Sequence, residues 1–141
     1  MPTDLDANSP AAFMIPDLAQ RRTAGYVYLV GAVGGAGAAV GGLGVGYWLA
    51  AALFVIIAGY HYAAGKNPEV HEIEALELAN KATHFAIGHA SAVLSFDGIL
   101  ARPVWNVLVF SADDPPSQRG LVRVDALRGS IVEQYVEPIT G

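Results

Sequence analysis

An uncharged run constrains this chain more than any other feature: residues 25–65 contain no Asp, Glu, Lys or Arg. A helix needs about 20 apolar residues to cross the hydrocarbon core of a bilayer. These 41 positions are too many for one span and suit two. Only 15% of all residues are charged, against about 25% in a typical soluble domain. The charge deficit lies in this one segment, so we expect an integral membrane protein.

Aromatic residues divide the run into two parts. Tyr and Trp favour the headgroup level of a bilayer. Here they form three clusters, at the start, middle and end of the run: Tyr26 and Tyr28, Tyr47 and Trp48, and Tyr60 and Tyr62. The clusters predict an α-helical hairpin of two transmembrane helices, roughly 25–43 and 47–65, joined by a turn near residues 44–46.

Basic residues beside the run predict its orientation. Arg21 and Arg22 precede it and Lys66 follows it, so both termini should be cytoplasmic in a bacterial plasma membrane. Residues 1–20 have three Asp and no basic residue, which is unlike a signal peptide. The alternative is that only the second segment spans, since eight of the 16 residues in 31–46 are the poorly inserting Gly. The C-terminal part would then face outward.

Glycines of the first segment recur four residues apart, a spacing that lets two helix backbones approach closely in lipid. We predict a helix-packing interface at these positions: Gly31, Gly35, Gly37, Gly41, Gly42 and Gly46. The pattern does not specify the neighbour. The second span, another copy of the chain and a larger membrane complex all satisfy it. The first segment has so few large side chains that its surface favours a larger assembly of membrane subunits.

The chain is predicted to have three parts: a cytoplasmic tail 1–24, the hairpin 25–65 and a soluble α+β module 66–141. Asn67 and Pro68 form a helix-start signal, as cap and first helical residue. Apolar residues at three- and four-residue spacing predict an amphipathic helix over 72–88. Alternating and β-branched segments predict four antiparallel strands packed against it: 91–97, 104–110, 121–125 and 131–136.

The segment VDALRGSI at 124–131 resembles the closing hairpin of a PepSY-type repeat, which commonly reads Val-Asp-Ala, two residues, Gly, one residue and an aliphatic residue. The resemblance covers roughly 72–136, and Arg128 stands where the family usually has Thr. It implies a module that binds or inhibits proteins. Such modules are usually extracytoplasmic, which conflicts with the cytoplasmic termini predicted above.

The whole chain is similar in size, composition and layout to small accessory subunits around the actinobacterial cytochrome bcc–oxidase supercomplex. That likeness implies a non-catalytic role beside other membrane subunits of a respiratory complex. The anchored PepSY-like binding or inhibitory module is the alternative.

Residue types that carry chemistry are sparse. The chain has no cysteine, which excludes thiolate sites and a Cys nucleophile. No H-E-x-x-H pattern occurs among the four histidines, and the glycines at 42–46 lack G-x-G-x-x-G spacing. We therefore expect no catalytic site, metal site or cofactor. His61, within the second span, supports a third hypothesis of haem ligation.

Acidic residues outside the run have structural explanations. Residues 66–141 hold ten acidic and six basic side chains, a balance that argues against a nucleic-acid partner. Glu69, Glu72, Glu74 and Glu77 are expected to form a solvated face. Asp125 is expected to cap or shape the turn of its hairpin.

Overall fold

The computed structural model describes residues 17–140, so most of the predicted tail and residue 141 lie outside the described residues. The described part has three helices and four strands. In chain order they are α1 (Ala19–Val40), α2 (Gly46–Ala64), α3 (Glu72–Ala82), β1 (Ile87–Asp97), β2 (Arg102–Ser111), β3 (Gln118–Asp125) and β4 (Ile131–Pro138). Helices α1 and α2 are each long and apolar enough to cross a membrane.

Helix α1 begins at Ala19, six residues before the predicted start of the first span. Two side chains stabilise this earlier start by accepting hydrogen bonds from backbone N–H groups at its end. Asp17 Oδ1 accepts from Ala19 (2.8 Å) and Asn67 Oδ1 accepts from Leu18 (3.0 Å). The prediction that Asn67 caps the third helix is therefore wrong. That helix begins at Glu72 after His71, and Asn67 serves the first helix instead.

The turn between α1 and α2 occupies residues 41–45, slightly earlier than predicted. Helix α1 stops there because the chain enters backbone conformations that favour glycine: Gly42 has φ 84° and Gly44 has φ 130°. The backbone N–H of Leu43 donates to the carbonyl of Ala38 (3.1 Å) and so satisfies one carbonyl of the last turn.

Small residues bring α1 and α2 together. Gly25 and Ala32 are buried on α1, and Ala51 and Ala58 are buried on α2. Each pair is seven residues apart, so both lie on one face of their helix. A Cβ added at Gly25 would lie 3.2 Å from the carbonyl oxygen of Ala58. The two backbones are therefore in close contact, as in small-residue packing of membrane helices.

Helix α3 ends at Ala82, so the predicted extension to residue 88 is wrong. The side chain and backbone of Thr83 both donate to the carbonyl of Ala79, at 2.7 and 3.0 Å. Gln134 on β4 donates to the carbonyl of Ala82 (3.0 Å). Phe85, which matched the helical period, packs against the core from the connection between α3 and β1 instead.

The four strands form one antiparallel sheet in the order β1-β2-β3-β4, so each strand pairs with its neighbour in sequence. This confirms the predicted four-stranded sheet, although each strand is two to four residues longer than expected. Helix α3 covers one face. The core beneath it contains Trp105, Val107, Val109, Val122 and Val124, all fully buried.

Trp105 anchors the segment that precedes α3. Its indole Nε1–H donates to the carbonyl of Val70 (2.8 Å), while its ring is completely buried between the helix and the sheet. The bond satisfies a polar group that would otherwise be costly to bury. It also ties the connection from α2 to the middle of the sheet.

Asp125 shapes the β3–β4 turn, as predicted. Its Oδ1 accepts hydrogen bonds from the backbone N–H groups of Leu127 (2.8 Å) and Arg128 (3.2 Å). Gly129 completes the turn at φ 69°, a conformation that side-chain-bearing residues rarely adopt. The four acidic residues predicted to be solvated, Glu69, Glu72, Glu74 and Glu77, are all exposed.

Candidate functional site

The six glycines of the predicted packing interface fall into three environments. Gly31 and Gly35 face α2: an added Cβ would lie 3.3 Å from the Phe54 ring at Gly31 and 3.4 Å from the Tyr47 carbonyl oxygen at Gly35. Gly41 and Gly42 belong to the turn. Gly37 on α1 and Gly46 at the start of α2 have open space where a side chain would be.

An open stripe runs along the outward side of α1. Gly34 and Gly37, three residues apart, have no described atom within 4 Å of an added Cβ. Val30 and Val33, on the same side of the helix, are 72% and 70% exposed. We call Val30, Val33, Gly34 and Gly37 the outer stripe. The hairpin makes no use of this surface, which lies opposite its contact with α2.

The sequence pattern missed the small residues that hold the hairpin together. Gly25, Ala32, Ala51 and Ala58 were not among the predicted positions, although they lie at the closest approach of the two helices. The search for glycines four apart overlooked them because the relevant spacing is seven and three of the four are alanines. A seven-residue period of small residues in both segments is the signal that would have found them.

A cleft of about 770 Å³ lies where the open end of the hairpin meets the α+β module. Four basic side chains from four parts of the chain line it: Arg22 of α1, Lys66 after α2, Arg102 of β2 and Arg128 of the β3–β4 turn. Among residues 17–140, Glu69 is the one acidic side chain in its lining. We call this the basic cleft.

Two hydrogen bonds join the hairpin to the rest of the chain near the basic cleft. One is the bond from Leu18 to Asn67 described above. In the other, the Tyr60 hydroxyl donates to the carbonyl of Ile99 in the β1–β2 turn (3.0 Å). Gly65 permits a close approach here, since an added Cβ would lie 2.9 Å from Cγ of Arg22.

The positive charge of the basic cleft is only partly balanced. Arg102 forms an ion pair with Asp125 (3.1 Å). Among residues 17–140, no carboxylate lies within ion-pair distance of Arg22, Lys66 or Arg128. Three cations therefore remain available to an anion.

An apolar groove of about 230 Å³ runs along the hairpin between α1 and α2. It shares Arg22 and Tyr62 with the basic cleft. The rest of its lining is apolar or lacks a side chain: Gly25, Tyr26, Leu29, Val55, Ala58 and Gly59. The cleft and the groove therefore form one continuous surface that changes from basic to apolar.

His61 lies in the contact between the helices. Its ring stacks on Tyr28 with centroids 5.4 Å apart, and its Nδ1 is buried without a hydrogen-bond partner among the described residues. His84 and His89 are exposed on the module. Within residues 17–140, no group of three His, Asp or Glu side chains is placed to hold a metal ion. Haem ligation by His61 stays a hypothesis.

The face of the sheet opposite α3 carries apolar side chains. Leu108, Phe110, Leu121 and Tyr135 line a shallow depression of about 250 Å³, which we call the outer sheet patch. An ion pair between Arg119 and Glu137 borders it. Arg119, with a smaller contribution from the Tyr135 hydroxyl, holds the pKa of Glu137 below its usual value.

Comparisons with known proteins do not extend this description: no family model, curated protein or solved structure matches the chain. Three surfaces of the described part are therefore candidates for function. They are the outer stripe of α1, the basic cleft with its groove, and the outer sheet patch.

Proposed function

We propose that this chain is a non-catalytic accessory subunit of a larger membrane protein complex. The α1–α2 hairpin is inserted in a bacterial plasma membrane, and other membrane subunits pack against α1. Arg21, Arg22 and Lys66 all lie at the open end of the hairpin, which supports cytoplasmic termini. The observation that carries the proposal is the outer stripe.

Glycine in a helix interior costs roughly 1 kcal/mol relative to alanine. Gly25, Gly31 and Gly35 recover this through contact with α2. At Gly34 and Gly37, an added Cβ would meet no atom of another element within 4 Å in the described part of the chain. Lipid tails accommodate large side chains, so lipid contact alone gives no reason for glycine there. Close approach by the backbone of another membrane helix does give one.

The type of complex is proposed from the layout of the chain. A two-span hairpin followed by a small β-rich module resembles accessory subunits of respiratory complexes of the cytochrome oxidase type.

The test is affinity purification of the tagged full chain from its native membrane in mild detergent, with mass spectrometry of associated proteins. We expect stoichiometric recovery of respiratory subunits. Gly37→Leu should abolish their recovery because the new side chain fills the space next to α1. Ala52→Leu, at an exposed position of α2, is the matched control and should retain them. Recovery of the chain alone would contradict the proposal.

The outer sheet patch favours a second candidate function, a membrane-anchored module of PepSY-like type that binds or inhibits a protein. Apolar side chains grouped on an exposed sheet face are typical of protein contacts. Phe110 and Tyr135 supply the large aromatic area that such contacts use.

Replacing the hairpin with an unrelated two-span anchor separates the two candidates. An accessory subunit held through the outer stripe loses its partners after the exchange. An anchored binding module keeps its partner, and loses it instead when Leu108 and Tyr135 are changed to Ser. Lys81→Gln, remote from the patch, is the control for these substitutions.

A further inference from the structure

We propose that the basic cleft and the apolar groove together bind one anionic phospholipid. The headgroup phosphate lies among the cations of the cleft and an acyl chain lies along the groove. This inference rests on the membrane location proposed above and does not depend on any partner complex.

Charge is the first reason. The fold brings Arg22, Lys66 and Arg128 to one cleft from positions that are more than 100 residues apart at their extremes. Like charges repel, so the grouping favours an anionic occupant. Arginine presents a planar fork that matches phosphate oxygens, and lysine adds a mobile point charge.

The position of the cleft along the membrane normal is the second reason. Tyr60 and Tyr62 are at the end of α2, where aromatic side chains occupy the headgroup level. The hydrogen bond from Tyr60 brings the β1–β2 turn to that level. This turn exposes Ile99 (85%) and Leu100 (47%), which suit contact with lipid. The cleft therefore opens at the depth of the phosphate groups.

Continuity with the groove distinguishes a lipid from a soluble phosphate compound. The groove begins at Arg22 and Tyr62, which also line the cleft, and continues over an apolar surface. Gly59 leaves room in it, since nothing lies within 4 Å of a Cβ added there. An inorganic phosphate has no group that would occupy this surface, whereas a phospholipid has acyl chains esterified to the same glycerol that carries its phosphate.

Size agrees with this occupant. The cleft encloses about 770 Å³, within the range of about 300–1,000 Å³ common for small-ligand sites. The groove adds about 230 Å³ along the hairpin. Glu69 in the lining gives the site one acceptor for hydroxyl groups of a headgroup such as glycerol.

The experiment is native mass spectrometry of the purified full chain in detergent, titrated with phosphatidylglycerol, with phosphatidylcholine of the same acyl chains, or with inorganic phosphate. We expect one phosphatidylglycerol to bind about tenfold or more tightly than phosphatidylcholine, and inorganic phosphate not to compete at equal concentration. Arg22→Gln combined with Arg128→Gln should weaken phosphatidylglycerol about tenfold. Arg21→Gln combined with Lys81→Gln removes the same charge outside the cleft and should change the affinity less than about twofold.

A second pair of variants tests the groove. Gly59→Leu fills it without a clash, since nothing lies within 4 Å of an added Cβ. This variant should weaken phosphatidylglycerol and phosphatidylcholine alike. Gly37→Leu makes the same change on the outer stripe and should leave lipid affinity unaltered.

Three results would overturn the inference. They are equal affinity for the two lipids, an equal loss of phosphatidylglycerol affinity in the cleft and control double variants, and competition by inorganic phosphate. The last would indicate a soluble anion instead. Flotation of the wild-type chain with lipid vesicles after alkaline carbonate washing tests the membrane location separately. Failure to float would refute that location. Flotation without headgroup selectivity would refute only the lipid site.

Discussion

A designed disulfide tests the α1–α2 contact. A Cβ added at Gly35 would lie 3.4 Å from the Cβ of Ala51. Cβ atoms joined by a disulfide are about 3.5–4.5 Å apart, with a mean of about 3.8 Å, so a shift of roughly 0.1–0.4 Å brings the pair between the lower limit and the mean. The chain has no native cysteine. Gly35→Cys combined with Ala51→Cys should therefore form one intramolecular disulfide with no competing thiol.

The magnitude follows from the length of the closed loop. Positions 35 and 51 are 16 residues apart, and closing a loop of this size stabilises a folded state by about 3 kcal/mol in the chain-entropy model. The oxidised hairpin should resist separation of its helices in denaturing detergent, while the reduced form should not.

The assay is mild oxidation of the double variant in native membranes, followed by alkylation with a polyethylene glycol maleimide and electrophoresis without reductant. We expect the variant with cysteines at positions 35 and 51 to run as a monomer. Its band should show neither of the two mobility shifts that alkylated cysteines cause. Gly37→Cys combined with Ala51→Cys is the control, because nothing lies within 4 Å of a Cβ at Gly37. Equal protection of the two pairs, or protection of neither, would refute the close packing of α1 on α2.

Three further predictions concern the module. Trp105→Ala should destabilise it by about 3–5 kcal/mol, because the ring is fully buried and its bond to Val70 is lost; hydrogen exchange of the sheet amides measures this. Asp125→Ala should lower the free energy of unfolding by about 1–3 kcal/mol because its turn hydrogen bonds are lost, and Asp125→Asn should lower it less. Thermal unfolding measures both changes. The pKa of Glu137 is lowered in the folded state, so its contribution to stability is present above its unfolded pKa and is lost as pH falls through the lowered value. Arg119→Gln should raise that pKa, as followed by carboxyl NMR titration.

The architecture was predictable wherever residue type alone decides local structure. The uncharged run specified two apolar helices, and alternation with β-branched residues specified the four strands. Asp125 was placed correctly because a short carboxylate before a glycine-containing turn has few other roles.

Predictions failed where a distant residue overrides a local pattern. Asn67 matched a local helix start, yet its side chain accepts from Leu18 at the start of α1, 49 residues earlier. The end of α3 involves Gln134, 52 residues later. Phe85 fitted the helical period, yet it reaches the core from the bend that follows α3.

The candidate sites were predictable only in part. Arg22 and Lys66 were used to orient the hairpin, and nothing in the sequence joined them to Arg128, which the β3–β4 turn brings across the module. The one local sign of this site was Arg128, which stands where the PepSY-like pattern usually has Thr. That the glycines of the first span contact a partner stays a prediction, since the structure contains this chain alone.

The order of pairing has a consequence for how the chain assembles. Helix α2 contacts α1, and each strand of the sheet contacts the element made just before it. Little loop entropy is lost at any step, which favours rapid folding. During synthesis, each new strand finds the edge of its predecessor already in place, and that edge is unpaired only briefly. The basic cleft is completed late in synthesis, because Arg128 emerges after every other residue that lines it.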